Sequence, residues 1–132
     1  SNSNSKDALI VMDCDKYKEI NDSYGHLQGD NILVSISKAL SKTFKETDII
    51  GRIGGDEFCV YMKNIPSSDF VVSKCHELQD LISKLNKGLD ITVSIGISFL
   101  RDEKSYDDLF KKADKALYKA KEKGGDQIQF FN

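Results

Sequence analysis

The sequence predicts a mixed α/β domain, an α+β layer fold in which helices flank one largely antiparallel sheet, in the order β-α-α-β-β-α-β-α-β. Three observations carry this expectation. The run Ala8–Met12 ("ALIVM") is apolar on both faces and ends in acids, which marks a short central strand. Residues 91–99 alternate strictly, with Ile91, Val93, Ile95, Ile97 and Phe99 set against Thr92, Ser94, Gly96 and Ser98, and so predict a half-buried strand. The stretches between the strands carry apolar residues at helical spacing, which calls for helices packed on a sheet.

The opening "SNSNS" is polar and of low complexity, so residues 1–7 are set apart as a linker or cloning remnant and residues 8–132 as a single domain. After the first strand, "KYKEINDSYGHLQGDN" predicts a short helix and a turn. Asp30 then stands where an N-cap would start a longer helix bearing Ile32, Leu33, Ile36, Leu40 and Phe44. Two β-prone runs, residues 48–53 and 57–62, meet at Gly54-Gly55, a hairpin signal because tight hairpin turns call for positive φ. Pro66-Ser67-Ser68 opens a helix to about Asn86, with Val71, Val72, Cys75, Leu78, Leu81, Ile82 and Leu85 on its apolar face. Ser105-Tyr106-Asp107-Asp108 is a capping box for a last helix with Leu109, Ala113, Ala116, Leu117 and Ala120 buried. Gly124-Gly125 stops that helix, and residues 127–131 form a short final strand.

Bulk properties narrow the function. The chain has 132 residues, 30% charged and 39% hydrophobic, as an ordinary globular domain does. A net charge of −2 leaves no excess of base for general nucleic-acid binding. Cys14, Cys59 and Cys75 form no CxxC pair and are odd in number, which points to reduced, packed thiols in the cytoplasm. No run is long enough to cross a bilayer, so direct membrane contact is not expected.

The chemistry concentrates in acids at strand ends. Asp13 closes the first strand and Asp56 sits at the hairpin. If the two strands are neighbours, their carboxylates converge and repel unless a cation lies between them. Hard oxygen ligands in that number suit Mg²⁺, which binds through one or two carboxylates plus substrate phosphates. The Cys14 backbone carbonyl is a further oxygen, and glycines at 54 and 55 let a phosphate approach the backbone. The alternative reading of Asp56 and Glu57 is a pair of solvated turn acids, and spacing alone does not decide between the two.

"RIGGDEF" at 52–58 resembles the signature of the GGDEF family, the diguanylate cyclases. "DCDKYKEINDSYGHLQGD" at 13–30 is similar to that family's D-x-D-x-F-K-x-I-N-D-x-x-G-H-x-x-G-D run, with Tyr17 in place of Phe, and "VSIGIS" and "ADKALYKAKEKG" follow in the family's order. The resemblance implies a fold like that of nucleotide cyclases and polymerase palms. It also implies an enzyme that condenses two GTP into cyclic di-GMP and pyrophosphate by two-metal phosphoryl transfer, using two Mg²⁺ or Mn²⁺ ions per site across a homodimer. On the same ground, Asp13, Asp56 and the Cys14 carbonyl match metal ligands, and Glu57 supports metal binding and catalysis. Asn21 and Asp30 match the residues that read guanine, whose N1-H and 2-amino donors suit a carboxylate. Lys18 and Lys121 match triphosphate contacts, and the backbone at Lys16, Tyr17 and Lys18 matches the phosphate cradle. Without the resemblance, Lys121 reads first as a solvated helix lysine, and Asn21 and Asp30 as turn and cap residues. His26 reads as structural, and Arg52 as either a surface strand residue or an anion contact.

Three departures accompany the resemblance. The family's product-inhibition site, R-x-x-D, reads Lys45-Glu46-Thr47-Asp48 here, and lysine lacks the planar fork of arginine. Gly125 stands where the family has a phosphate-contacting arginine, with Asp126 beside it. The family's leading D-x-L-T-G-L-x-N-R segment and helix do not stand ahead of the first strand in this sequence, so either the chain was cut there or the domain lacks that helix. The second and third departures favour an alternative function, a GTP-binding regulatory module without turnover. In either case, attached sensory or effector domains are the expected partners in a full-length protein.

Overall fold

The computed structural model describes residues 6–101 and 105–131. Its elements are β1 (Lys6–Cys14), α1 (Tyr17–Tyr24), α2 (His26–Thr43), β2 (Ile49–Arg52), β3 (Glu57–Ile65), α3 (Ser68–Leu85), β4 (Val93–Phe99), α4 (Tyr106–Glu122) and β5 (Ile128–Phe130). They build one sheet in the spatial order β2-β3-β1-β4-β5. Only the β4–β5 pair is parallel, and the pairs β1–β3, β1–β4 and β2–β3 are antiparallel, so the sheet is mixed and largely antiparallel as expected.

β1 is the central strand, and Ala8 through Met12 are fully buried. Its even-numbered side chains, Ala8, Ile10 and Met12, join Ile32, Ile36, Leu40, Val71, Cys75, Leu78 and Ile82 of α2 and α3. Leu9 and Val11 point the other way and pack on Leu109, Ala113 and Leu117 of α4. Each such burial contributes about 1.5–3 kcal/mol, and the two-sided core fixes which residues reach either rim of the sheet.

Several local expectations need correction. β1 begins at Lys6, not Ala8, because Asp7 accepts hydrogen bonds from the Tyr61 hydroxyl (2.7 Å) and the Asn64 amide (3.0 Å). Lys6 and Asp7 therefore belong to the fold, and the remaining linker residues, 1–5, lie outside the described ones. Asp30 does not cap α2. The helix starts at His26 after Gly25 (φ +90°), which turns the chain directly from α1 into α2 and leaves Asp30 exposed one turn inside. β4 is not half-buried: Ser94 and Ser98 are buried with Val93, Ile95 and Ile97. Small residues permit this. A Cβ on Gly96 would lie 2.2 Å from the Ala113 carbonyl oxygen, so α4 rests directly on the strand. The Ser98 hydroxyl is satisfied by donating to the Leu109 carbonyl at 2.8 Å. Ser67 and Ser105 cap α3 and α4 by accepting from Phe70 and Asp108 amides.

Candidate active site

Asp13, one residue from the end of β1, stands directly opposite Glu57 of β3 and Ser94 of β4. Opposed residues of an antiparallel pair share a face, so all three side chains lie on the face that carries α4. The β2–β3 turn brings Asp56 to the same rim, where its carbonyl accepts from the Cys14 amide at 3.4 Å. Burial pushes the Asp13 carboxyl up, the Lys121 ammonium pulls it back, and the Asp56 and Asp15 carboxylates add to the rise. Glu57 is likewise raised, by burial first and then by Asp114, Asp13 and Asp56.

One cation answers this acidity directly. Lys121, in the last turn of α4, forms an ion pair with Asp13 Oδ1 and lies 3.5 Å from Asp15 Oδ1. Asp13 Oδ1 is buried, and the Lys121 ammonium is its charged partner. A buried carboxylate oxygen of this kind fits a divalent cation. Among the described residues no three His, Cys, Asp or Glu side chains enclose an ion. The residues present suit a metal held by one or two carboxylates, with its other ligands from substrate and water. Burial pushes the Cys14 thiol up to about 12, helped by Asp15 and Asp56, so the thiol stays protonated and the backbone carbonyl is the oxygen Cys14 can offer.

The second group of predicted residues gathers between α1 and α2. Lys16 takes a left-handed conformation (φ 56°) that turns the chain sharply from β1 into α1. Lys16 and Lys18 are exposed, with Tyr17 half-buried between them. Burial raises the Tyr17 hydroxyl, a hydrogen bond with the Asn21 amide opposes this, and the Asp30 carboxylate reinforces it. Asn21 Oδ1 is likewise buried. A Cβ on Gly29 would lie 1.8 Å from that oxygen, so glycine at 29 is what lets α2 pass α1 with Asn21 between them. His26 is exposed at the start of α2.

Two site features escaped the sequence. Asp15 is tied down on both oxygens: Oδ1 accepts from Ser94 Oγ (2.6 Å), and Oδ2 from Thr92 Oγ1 (2.7 Å) and the Asp126 amide (2.9 Å). Burial works against its charge, but the Ser94, Thr92 and Asp126 donors and the Lys121 ammonium bring its carboxyl below the usual value. The two-residue spacing from Asp13 is the available signal, since period-2 alternation continued past the end of β1 turns both acids to one side. Arg52 was left between a surface residue and an anion contact. Its Nε donates to the Gly54 and Gly55 carbonyls, both at 3.2 Å, and the guanidinium lies 5.8 Å from the Phe58 ring. Arg52 therefore braces the Gly54–Asp56 turn.

A cavity of about 400 Å³ opens beside the β1–α1 turn, lined by Lys16, Glu19, Tyr24, Asp90 and Asp126 among others, but not by Asp13, Asn21 or Asp56. At the far end of the sheet, Lys45 and Asp48 close a turn on each other: the Lys45 amide donates to Asp48 Oδ2 (3.1 Å) and the Asp48 amide to the Lys45 carbonyl (3.0 Å). The Lys45 ammonium sits 5.8 Å from the Phe70 ring, with Lys74 at 5.6 Å from the same ring.

The comparisons with known proteins agree with this geometry. The family model described as "Diguanylate cyclase, GGDEF domain" matches residues 1–127. Diguanylate cyclase DgcM of Escherichia coli is 35% identical over 123 residues, covering 92% of this chain and 30% of that protein, so the chain spans about a third of that relative's length. The GGDEF domain of YfiN (TpbB) from Pseudomonas aeruginosa superposes with a TM-score of 0.89 at 26% identity, over 98% of this chain and 84% of that one. Diguanylate cyclase SiaD of the same organism, solved with its activator SiaC, gives 0.87 at 29% identity, over 98% of this chain and 52% of that one. With the signature turn, the two acids at the rim and the whole sheet accounted for, the chain belongs to the GGDEF family of diguanylate cyclases, GTP-dependent nucleotidyl cyclases that use divalent metal.

Proposed function

We propose that this domain condenses two GTP molecules into cyclic di-GMP, releasing pyrophosphate, at the rim formed by Asp13, Asp56 and Lys121. The observation that carries the reading is the convergence of the partly buried Asp13 carboxylate with Asp56 and Glu57 at one rim of the sheet, where Lys121 pairs with Asp13. Bound Mg²⁺ or Mn²⁺, two ions per site, would polarise the α-phosphate and acidify the attacking 3′-hydroxyl. Asp13, Asp56 and the Cys14 carbonyl are the proposed ligands, and Glu57 supports them.

The chain's own residues do the rest. Asp30, exposed on α2, accepts from the guanine N1-H and 2-amino group, and the Asn21 amide offers a donor and an acceptor at that edge. Adenine has no such donor pair, so GTP is chosen over ATP. The backbone at Lys16–Lys18 faces the triphosphate from the start of α1, with Lys18 and Lys121 as its cations. Gly54 and Gly55 keep the approach open: a Cβ on either would meet nothing within 4 Å. Because the product is two-fold symmetric, two domains meet face to face, each hydroxyl attacking the other's α-phosphate. Activity per domain should therefore rise with protein concentration.

The full-length protein, incubated with GTP and Mg²⁺ and its nucleotides separated, should yield cyclic di-GMP and no product from ATP. GTP binding without cyclic di-GMP would replace the enzyme by the regulatory module. That alternative is not favoured, since the relatives named by activity are cyclases. Lys45 and Asp48 are proposed to bind the product weakly or not at all, and low-micromolar binding of cyclic di-GMP abolished by Lys45→Ala would contradict this. Among the described residues no helix is long and apolar enough to cross a membrane. The cytoplasm, which holds GTP and keeps Cys14, Cys59 and Cys75 reduced, is the proposed compartment, and further domains of the longer protein are the proposed source of its input signal.

A further inference from the structure

Asp15 has no role in the reading above, yet it is the most heavily bonded acid at the rim. It holds three separate pieces together. Thr92 and Ser94 fix it to the start of β4, the Asp126 amide fixes it to the turn after α4, and the Lys121 ammonium lies 3.5 Å from its Oδ1. That turn is itself tied to α4, since the Gly124 and Gly125 amides donate to the Lys121 and Ala120 carbonyls. Asp15 thus controls both the backbone that carries Lys121 and the place where its ammonium rests. The ammonium meanwhile pairs with Asp13 Oδ1, a buried carboxylate oxygen. Lys121 thus competes for Asp13 with any metal which that carboxylate engages.

We propose that Asp15 is a positioning residue for Lys121: it gives the ammonium a second carboxylate, so that Lys121 neutralises Asp13 in the metal-free protein and stays at the rim, ready for phosphate, when Asp13 takes up its metal. The D-x-D pair at the end of β1 then divides its labour. Asp13 exchanges a lysine for a metal. Asp15 keeps the lysine from being lost in that exchange, and its saturated hydrogen bonds make it a poor ligand itself. The inference rests on the proposal that this rim holds metal and a triphosphate.

The test is binding of Mn²⁺ alone, without nucleotide, to the full-length protein, followed by electron paramagnetic resonance. Lys121→Met removes the competing cation and should tighten Mn²⁺ binding while weakening Mn²⁺-GTP binding, two effects of opposite sign that a structural role would not produce. Asp15→Asn leaves the ammonium with Asp13 alone and should weaken Mn²⁺ binding about tenfold, as loss of a residue supporting a ligand does. In the Lys121→Met background most of that loss should disappear. Unchanged or weaker Mn²⁺ binding by Lys121→Met overturns the inference, and this variant decides even if Asp15→Asn fails to fold. An equal Asp15→Asn loss with and without Lys121 also overturns it, leaving only a general charge effect. Absence of metal-dependent GTP binding by the parent protein is a different failure, which removes the metal reading of the rim itself.

Discussion

The tripeptide Gly-Gly-Asp occurs twice, at 54–56 and at 124–126, and the two copies do opposite work. The second copy needs glycine for its backbone. Gly124 and Gly125 have φ of +111° and +77°, and Asp126 follows at +53°. A Cβ on Gly125 would lie 3.1 Å from the Asp15 carboxyl, and the Asp126 amide is bonded to Asp15. The first copy shows no such requirement. Neither Gly54 nor Gly55 is among the positive-φ residues, contrary to the expectation from hairpin turns, and a Cβ on either meets nothing within 4 Å. Its loop is held from outside, by Arg52 on the Gly54 and Gly55 carbonyls. Identical residues thus make a conformational lock in one place and an unobstructed approach to Asp13 and Asp56 in the other.

The largest effect that should separate the two turns is on turnover. Asp56→Ala removes a proposed metal ligand worth several kcal/mol to the reaction, so cyclic di-GMP synthesis should fall about a thousandfold, with the urea midpoint little changed. Retained activity would mean the open turn is not the metal side. Next comes stability at the locked turn. Gly124→Ala forces an L-residue to positive φ and should cost about 1–2 kcal/mol in urea denaturation. A neutral result would mean the lock is not conformational.

Acid should discriminate further. The Asp15 carboxyl is below its usual 3.8, so its contribution to stability is complete above that pH and disappears as pH falls through the lowered value. The stability gap between the parent protein and Asp15→Asn should therefore be widest near neutral pH and close in acid. A gap that does not change with pH would show that charge at Asp15 does not hold the turn. The smallest effect belongs to the open turn: Gly54→Ala should alter stability by no more than about 0.5 kcal/mol, yet measurably weaken GTP binding. Destabilisation as large as that of Gly124→Ala would erase the distinction.

Much of this was legible in the sequence, and the exceptions have physical reasons. Periodicity sufficed for the order of strands and helices, because each element buries its own face. Asp13 and Asp56 were visible as acids at strand ends. Their neighbourhood was not, since it depends on β1 pairing with β3, a contact between residues far apart in the chain. Asp15 stands at the same strand end, but its role stayed hidden for the same reason: its partners Thr92, Ser94 and Asp126 arrive from the start of β4 and from the turn after α4. Alternation in β4 suggested a solvent face because Ser94, Gly96 and Ser98 are polar or small. Those residues are instead what allows α4 to lie against the strand. Asp30 looked like a cap because Asp commonly is one, and it was Gly25 that set the start of α2.

The most direct test of the central claim is a crystal structure of the full-length protein with Mn²⁺ and a non-hydrolysable GTP analogue, with metal located by anomalous scattering. The account predicts density between the Asp13 and Asp56 carboxylates, guanine against Asn21 and Asp30, and the Lys121 ammonium on phosphate beside Asp15. Metal bound instead in the acidic cavity lined by Glu19, Asp90 and Asp126, with Lys121 still paired to Asp13, would contradict it.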